Sequence, residues 1–346
     1  MLAERVTNFM SAIDAAKSNS ARRFLDPSFA ANFFELRLPM MGLSDFTISR
    51  CETKPIRLAK NGGKSIIEFT LHLKSRVNKQ TMIKTVIGKW RQPDRPYDQT
   101  FALSQELWRK GFEGGDHLGI CEPIAYFSDL NVMLMSKVAG VPLGERLVAD
   151  DDALKSNITQ VARWLLKLHK TNVTRAKQWS LREEEVILDN ILQNLVRLDP
   201  LCAERLRRVL RTVLERERSV RPESFVLIHG DLHPNNIFVD GLNLSVIDLD
   251  RSCLFDRAKD LGYFLGQVNL KKRRYKLSVD TDALRKNFLN HYTNAISTEV
   301  QERIAAYQAR TYVEHLNFLY WTLKKSFDPV DVDHWLHEAE ECLQRS

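Results

Sequence analysis

His229-Gly230-Asp231-Leu232-His233-Pro234-Asn235-Asn236 runs into Ile237-Phe238-Val239, a tip at Asp240-Gly241-Leu242-Asn243, and then Leu244-Ser245-Val246-Ile247-Asp248-Leu249-Asp250. Two short apolar, β-branched-rich runs around turn-forming residues predict a β-hairpin. Folding the chain back about its tip sets Asn236, where the first strand begins, beside Ile247 or Asp248, where the second ends. An amide oxygen and a carboxylate brought together in this way suit Mg²⁺, which takes oxygen ligands, keeps some waters and shares its site with substrate phosphates. Asp231 lies in the loop just before, placed to accept a proton from an attacking hydroxyl. Asp and Asn also cap turns and helices. The combination, rather than any one residue, predicts phosphoryl transfer.

The run resembles the H-R-D-L-x-x-x-N catalytic loop of protein kinases, with Gly230 in place of the arginine and Asp248 where the aspartate of D-F-G stands. The form His-Gly-Asp-Leu-His-Pro-x-Asn followed by Ile-Asp-x-Asp is similar to the aminoglycoside phosphotransferase and choline kinase branch of the kinase-like fold. That resemblance implies an α+β, protein-kinase-like chain of two lobes: a small antiparallel β-sheet N-lobe with one helix, then a mainly helical C-lobe. It also implies Asp231 as the catalytic residue, acting as base or orienting group, Asn236 and Asp248 as Mg²⁺ ligands, and ATP, or else GTP, as phosphoryl donor.

The other parts of such a site are sought upstream, in a fixed order. Thr85-Val86-Ile87-Gly88-Lys89-Trp90 is a β-rich run whose Lys89 takes the place of the family's phosphate-contacting lysine. Phe101 to Phe112 has a helical pattern in which Glu106 takes the place of the glutamate that pairs with that lysine. Glu113 and Glu122 are substitutes for Glu106. Lys60-Asn61-Gly62-Gly63-Lys64 joins two strand-like runs, so the backbone at Gly62 and Gly63 is a candidate phosphate cover or an ordinary hairpin turn. Val132 to Met135 reads as a strand leading into a hinge, with backbone amides around Ser136 to Val138 reading the nucleobase.

Past the hinge, Ile158, Val161, Ala162, Leu165, Leu166 and Leu168 repeat at helical spacing, and His169 at the helix end is read as bonding loop backbone. Asp260-Leu261 matches the family's downstream Asp-Leu, which implies a structural aspartate at a helix start that holds the catalytic loop through backbone N–H groups. Phe255 and Arg257 stand where that motif has Gly and Pro. Asp250 assists or supports the metal site. Tyr312, His315, Leu316, Phe318, Leu319 and Trp335 are helix-patterned and read as core ahead of acceptor lining.

At 346 residues and 44% hydrophobic content the chain is large enough for two lobes. Residues 1–45 read as a helical extension carrying Val6, Phe9, Met10 and Ile13 on one face, 46–135 as the nucleotide lobe and 136–346 as the helical lobe. Five scattered cysteines without zinc spacing suggest free thiols in a reducing compartment, and no run of eighteen apolar residues occurs, so a cytoplasmic enzyme is expected. The net charge of +7 gathers in runs such as Arg205 to Arg211 and Lys271 to Lys276. No RNA- or DNA-reading motif accompanies them, and they are read as solvated helix faces and a loop. The partner expected is a small-molecule hydroxyl compound: an aminoglycoside, a sugar or an amino alcohol. The competing readings are an inactive nucleotide-binding regulator and a kinase acting on a glycan, a protein or RNA. Oligomeric state is not legible in the sequence.

Overall fold

The computed structural model describes residues 20–344 except 60–63, 79, 93, 150–151 and 294–295. The Gly62 and Gly63 phosphate cover and the amphipathic helix expected around Val6 to Ile13 lie outside the described residues. The chain divides into two compact units, residues 1–109 with 120–138, and residues 110–119 with 139–346. The architecture is α+β: an antiparallel sheet in the N-terminal region and a helical C-terminal part.

The first unit opens with α1 (Ser20–Arg23) and α2 (Pro27–Glu35). Asp26 caps α2, its carboxylate accepting the Ser28 amide at 2.8 Å with Pro27 at the first helical position. Strands β1 (Phe46–Arg57), β2 (Ser65–Ser75) and β3 (Thr81–Trp90) follow, then α3 (Asp98–Leu107). Strand β4 (Leu118–Ile120), whose first two residues belong to the second unit, comes next, and β5 (Pro123–Phe127) and β6 (Val132–Ser136) then complete the sheet of this unit. The sheet order is β1-β2-β3-β6-β5, antiparallel throughout.

In β2, Ile67, Phe69, Leu71 and Leu73 alternate inward, the period of a sheet with one face on the core. That face is covered by Phe24 from the turn after α1 and by Phe33 and Phe34 from α2, stacked edge-on against each other and against Phe69 and Phe127. Residues 20–45, expected as an extension, therefore supply core to the sheet of this unit.

In the second unit, β7 (Val141–Pro142) leads into α4 (Leu143–Ala149) and α5 (Asp152–Lys170). Helices α6 (Leu181–Leu198) and α7 (Ala203–Glu217) come next, the first started by a Ser180–Glu183 capping box. Then follow β8 (Val226–Ile228), β9 (Ile237–Asp240), β10 (Asn243–Val246) and β11 (Cys253–Phe255). The chain ends in α8 (Arg257–Tyr275), α9 (Thr281–Tyr292), α10 (Thr298–Leu316) and α11 (Pro329–Gln344). Helix α10 is buried along most of its length, and α6, α7 and α11 close on it through Leu188, Leu206, Tyr312 and Trp335. Tyr312, Leu316 and Trp335 are thus core, whereas Phe318 is half exposed at 50%. No described helix is long and apolar enough to cross a membrane.

Candidate active site

Strand β8 pairs antiparallel with β11, Ile228 opposite Cys253. The loop that leaves β8 at His229 and the turn that enters β11 from Leu249 are therefore neighbours. Gly230 sits at φ +76°, and a Cβ there would come within 2.5 Å of the Arg251 carbonyl oxygen, so both its dihedral and its surroundings demand glycine. The Asp260 carboxylate, fully buried on the first turn and a half of α8, accepts the amides of His229 at 2.7 Å and Gly230 at 2.8 Å. Asp256, not Asp260, caps this helix, accepting the Ala258 amide.

His169 lies 3.2 Å from the same Asp260 carboxylate and 2.8 Å from the Tyr292 hydroxyl. This corrects the expectation that it bonds loop backbone: a buried imidazole beside a buried carboxylate satisfies both groups at once. Burial pushes the Asp260 carboxyl upward, but the hydrogen bond and charge of His169, with His229, outweigh it and hold the group below the usual carboxylate range.

His229 is wholly buried. Its Nδ1 accepts the Asp231 amide at 3.2 Å and its Nε2 donates to the Ile247 carbonyl at 3.0 Å, which fixes the proton on Nε2. One ring thus ties the Asp231 loop to the end of the β9–β10 hairpin. The hairpin itself pairs Val246 with Ile237, and the Ile247 amide donates to the Asn236 carbonyl at 2.9 Å. Asn236 is set beside Ile247 and one residue from Asp248, as the spacing predicts.

Asn236 Nδ2 donates to the Asp231 carbonyl at 3.0 Å, and the His233 amide donates to the same oxygen at 2.9 Å. With its amide nitrogen spent, Asn236 Oδ1 has no partner among the described residues and remains an oxygen donor. Asp248 adopts the left-handed conformation, φ +69° and ψ 57°, a strained state that aspartate tolerates and that functional sites collect. One amide oxygen with one or two carboxylates fits Mg²⁺ held jointly with substrate phosphates. Among the described residues no three His, Cys, Asp or Glu side chains gather as a protein-only cage would.

Sequence reasoning missed Tyr263, whose hydroxyl donates to Asp231 Oδ1 at 2.8 Å. Burial first, then the Asp231 charge, raises this phenol well above its ordinary range, so it stays a donor. The only sequence signal is its place three residues beyond Asp260, on a helix face next to it. Burial likewise pulls His233 down, against the opposing charge of Asp231.

In the first unit, Lys89 lies in β3 between Ile66 and Met133 and is 4% exposed, its ammonium 5.7 Å from the centre of the Tyr97 ring. Asn131, at φ +45°, accepts the Tyr97 amide at 3.1 Å and donates to the Gln92 carbonyl at 2.8 Å, which fixes the approach to α3. Glu106, in the last turn of that helix, is also buried at 8%. At the end of β6 the Ser136 amide donates to the Glu122 carbonyl at 2.9 Å and the Lys137 amide to the Thr85 carbonyl at 3.4 Å. Of the three hinge amides, only that of Val138 has no backbone partner among the described residues.

Residues 91–307 match the phosphotransferase enzyme family, APH. The chain belongs to that family. No curated protein is close enough in sequence to count as a match to this member of it. Among solved structures, choline kinase LicA from Streptococcus pneumoniae is similar over 90% of this chain and 98% of its own, with a TM-score of 0.53 at 14% identity. Choline kinase from Cryptosporidium parvum Iowa II covers 85% and 90%, with a TM-score of 0.53 at 15% identity. Amicoumacin kinase hAmiN, solved with AMP-PNP, Ca²⁺ and Ami, covers 84% and 88%, with a TM-score of 0.55 at 13% identity. At such identities these likenesses establish the kinase-like fold.

Proposed function

We propose that this phosphotransferase moves the γ-phosphoryl group of ATP to a hydroxyl of a small molecule. The observation that carries the reading is the Asn236 hub: its carbonyl holds the Ile247 amide, which sets residue 236 beside the neighbour of Asp248, and its side-chain nitrogen holds the Asp231 carbonyl. Asp231 accepts the proton as the acceptor oxygen forms its bond to phosphorus and the bond to the ADP oxygen breaks. Asn236 Oδ1 and Asp248 would hold Mg²⁺, which would supply charge neutralisation at the phosphates. Lys89, positioned by Glu106, clamps the nucleotide phosphates, and the Val138 amide at the end of the Ser136 strand reads the base. Catalysis is positioning and electrostatics, with no covalent enzyme intermediate. The five free cysteines and the demand for ATP fit a cytoplasmic setting.

The test is ADP release with ATP, Mg²⁺ and a panel of hydroxyl compounds, comparing wild type with Asp231→Ala and Asp248→Ala. Transfer by the wild type that disappears in both variants supports the reading. Nucleotide binding without transfer to any hydroxyl or to water would replace it with that of a nucleotide-binding regulator.

A further inference from the structure

The face of α8 that meets the Asp231 loop is a single stripe. Tyr263, Gln267 and Lys271 follow one another at four-residue steps, each about a turn on from the last. At one end Tyr263 bonds the Asp231 carboxylate. At the other the Lys271 ammonium lies 2.7 Å from where a Gly144 Cβ would stand, and Asn235 Oδ1 converges on that same point. Only glycine at position 144 leaves this space open. Gln267 lies between them, half-buried, and its amide has no hydrogen-bond partner among the described residues.

The charges along this stripe are one-sided. Lys271 is half-buried and, among the described residues, has no carboxylate within ion-pair distance; burial and Arg274 pull its pKa down while Glu145 opposes them. Glu145 is exposed on α4. Glu314, the other acid whose charge reaches Tyr263, is taken up by Arg310 at 2.7 Å. Arg251 adds a cation from the turn beside Gly230. The stripe offers a phenol, an amide and an ammonium, and no carboxylate. Beyond the catalytic Asp231, a polycation would find no carboxylate on this stripe to pair with, and a half-buried ammonium with no ion-pair partner among the described residues favours an anion beside it.

We propose that the Tyr263, Gln267 and Lys271 stripe is the acceptor wall of this phosphotransferase, and that its acceptor is a hydroxyl compound carrying a phosphate or carboxylate. Tyr263 is a positioning residue: it occupies Asp231 Oδ1 and leaves Oδ2 to take the proton of the acceptor hydroxyl. Lys271, about 12 Å further along the helix axis at 1.5 Å per residue, receives the anionic group, with Asn235 beside it. Gln267 bonds a hydroxyl between the two. The inference rests on the role proposed above for Asp231.

The full chain is assayed for ADP release with ATP and Mg²⁺ against hexose monophosphates, hexuronates, the parent neutral hexoses and aminoglycosides. The highest kcat/KM is expected for an anionic member. Lys271→Gln raises the KM for that compound by roughly 10- to 100-fold, the value of a hydrogen bond to a charged group, with a smaller fall in kcat, and Lys271→Arg restores it. Tyr263→Phe lowers kcat by about tenfold or more through lost alignment. The KM for the acceptor stays near the wild-type value in Tyr263→Phe, so the loss is confined to kcat. Thermal melting confirms that the variants are folded. A neutral or polycationic compound as best acceptor, an unchanged KM in Lys271→Gln, or no turnover of any anionic compound overturns the inference. Transfer that survives Asp231→Asn at the wild-type rate instead removes the proposed function beneath it.

Discussion

Asp260 and His229 are 31 positions apart in sequence, yet the carboxylate of one receives the backbone amide of the other at 2.7 Å inside a fully buried pocket. The position of the Asp231 loop is therefore set from α8 and not from the loop's own residues. Replacing Asp260 by Asn removes the charge and turns one acceptor into a donor facing a backbone N–H. A buried pair broken on one side costs about 3 kcal/mol or more. The expected outcome is a lower melting midpoint together with a fall in kcat larger than the change in the KM for ATP. A variant that melts lower but keeps wild-type kcat would show that Asp260 supports the fold without positioning the loop.

Gly230 makes a second, sharper test of the same loop. Alanine at φ +76° costs about 1–2 kcal/mol in backbone energy alone, and its Cβ would press on the Arg251 carbonyl at 2.5 Å. Relief requires the loop to shift, and Asp231 is the next residue. Gly230→Ala should lose stability modestly and activity severely, by about 100-fold for a displacement near 1 Å. Steady-state kinetics beside calorimetry separate the two effects, and equal, small losses in both would refute the argument.

Glu217 gives a prediction about pH. Its carboxylate is completely buried beside the Arg310 guanidinium, 3.1 Å away, and Glu184 pairs with the same guanidinium and with Lys259. Burial pushes the Glu217 pKa up to about 7, with Arg310 opposing and Glu184 adding to it. The folded protein then holds more protons than the unfolded chain between the ordinary carboxylate range and neutrality, so this group's contribution is greatest at low pH and is lost as pH rises toward 7. At about 1.4 kcal/mol per unit the swing is on the order of 3 kcal/mol. Glu184 runs the other way: its pKa is lowered because Arg310 and Lys259 outweigh its burial, and its contribution is lost in acid. Melting midpoints of Glu217→Gln from pH 5 to 8 should fall less steeply than those of the wild type. Superimposable curves would exclude the assignment.

How much of this was legible in the sequence depends on the distance over which each residue acts. The hairpin geometry that joins Asn236 to Ile247 is local, fixed by strand length and a turn, and the spacing alone predicts it. The hold of Asp260 on the loop backbone followed from a motif and is borne out at two amides. His169 was misread because its partner Tyr292 lies 123 positions away, and nothing in a helix end announces a tertiary partner. Tyr263 was invisible for a related reason: an aromatic residue on a helix face looks like core until the opposing loop is in place. Phe24, Phe33 and Phe34 went unassigned because their fragments are too short to show a period, although they cover the inner face of the sheet.

The last prediction concerns the metal-binding role proposed for Asn236. Its Nδ2 bond to the Asp231 carbonyl and its Oδ1, without a partner among the described residues, give it two separable duties. Asn236→Ala removes both, and Asn236→Asp keeps an oxygen ligand while deleting the donor to Asp231. If Oδ1 holds Mg²⁺, the alanine variant requires roughly 10- to 100-fold more Mg²⁺ for half-maximal rate, whereas the aspartate variant keeps near-native Mg²⁺ dependence and loses kcat through the freed Asp231 backbone. Titrating Mg²⁺ at saturating ATP distinguishes the two duties. Equal Mg²⁺ requirements in wild type and Asn236→Ala would remove Asn236 from the metal site and leave it only as the anchor of the Asp231 loop.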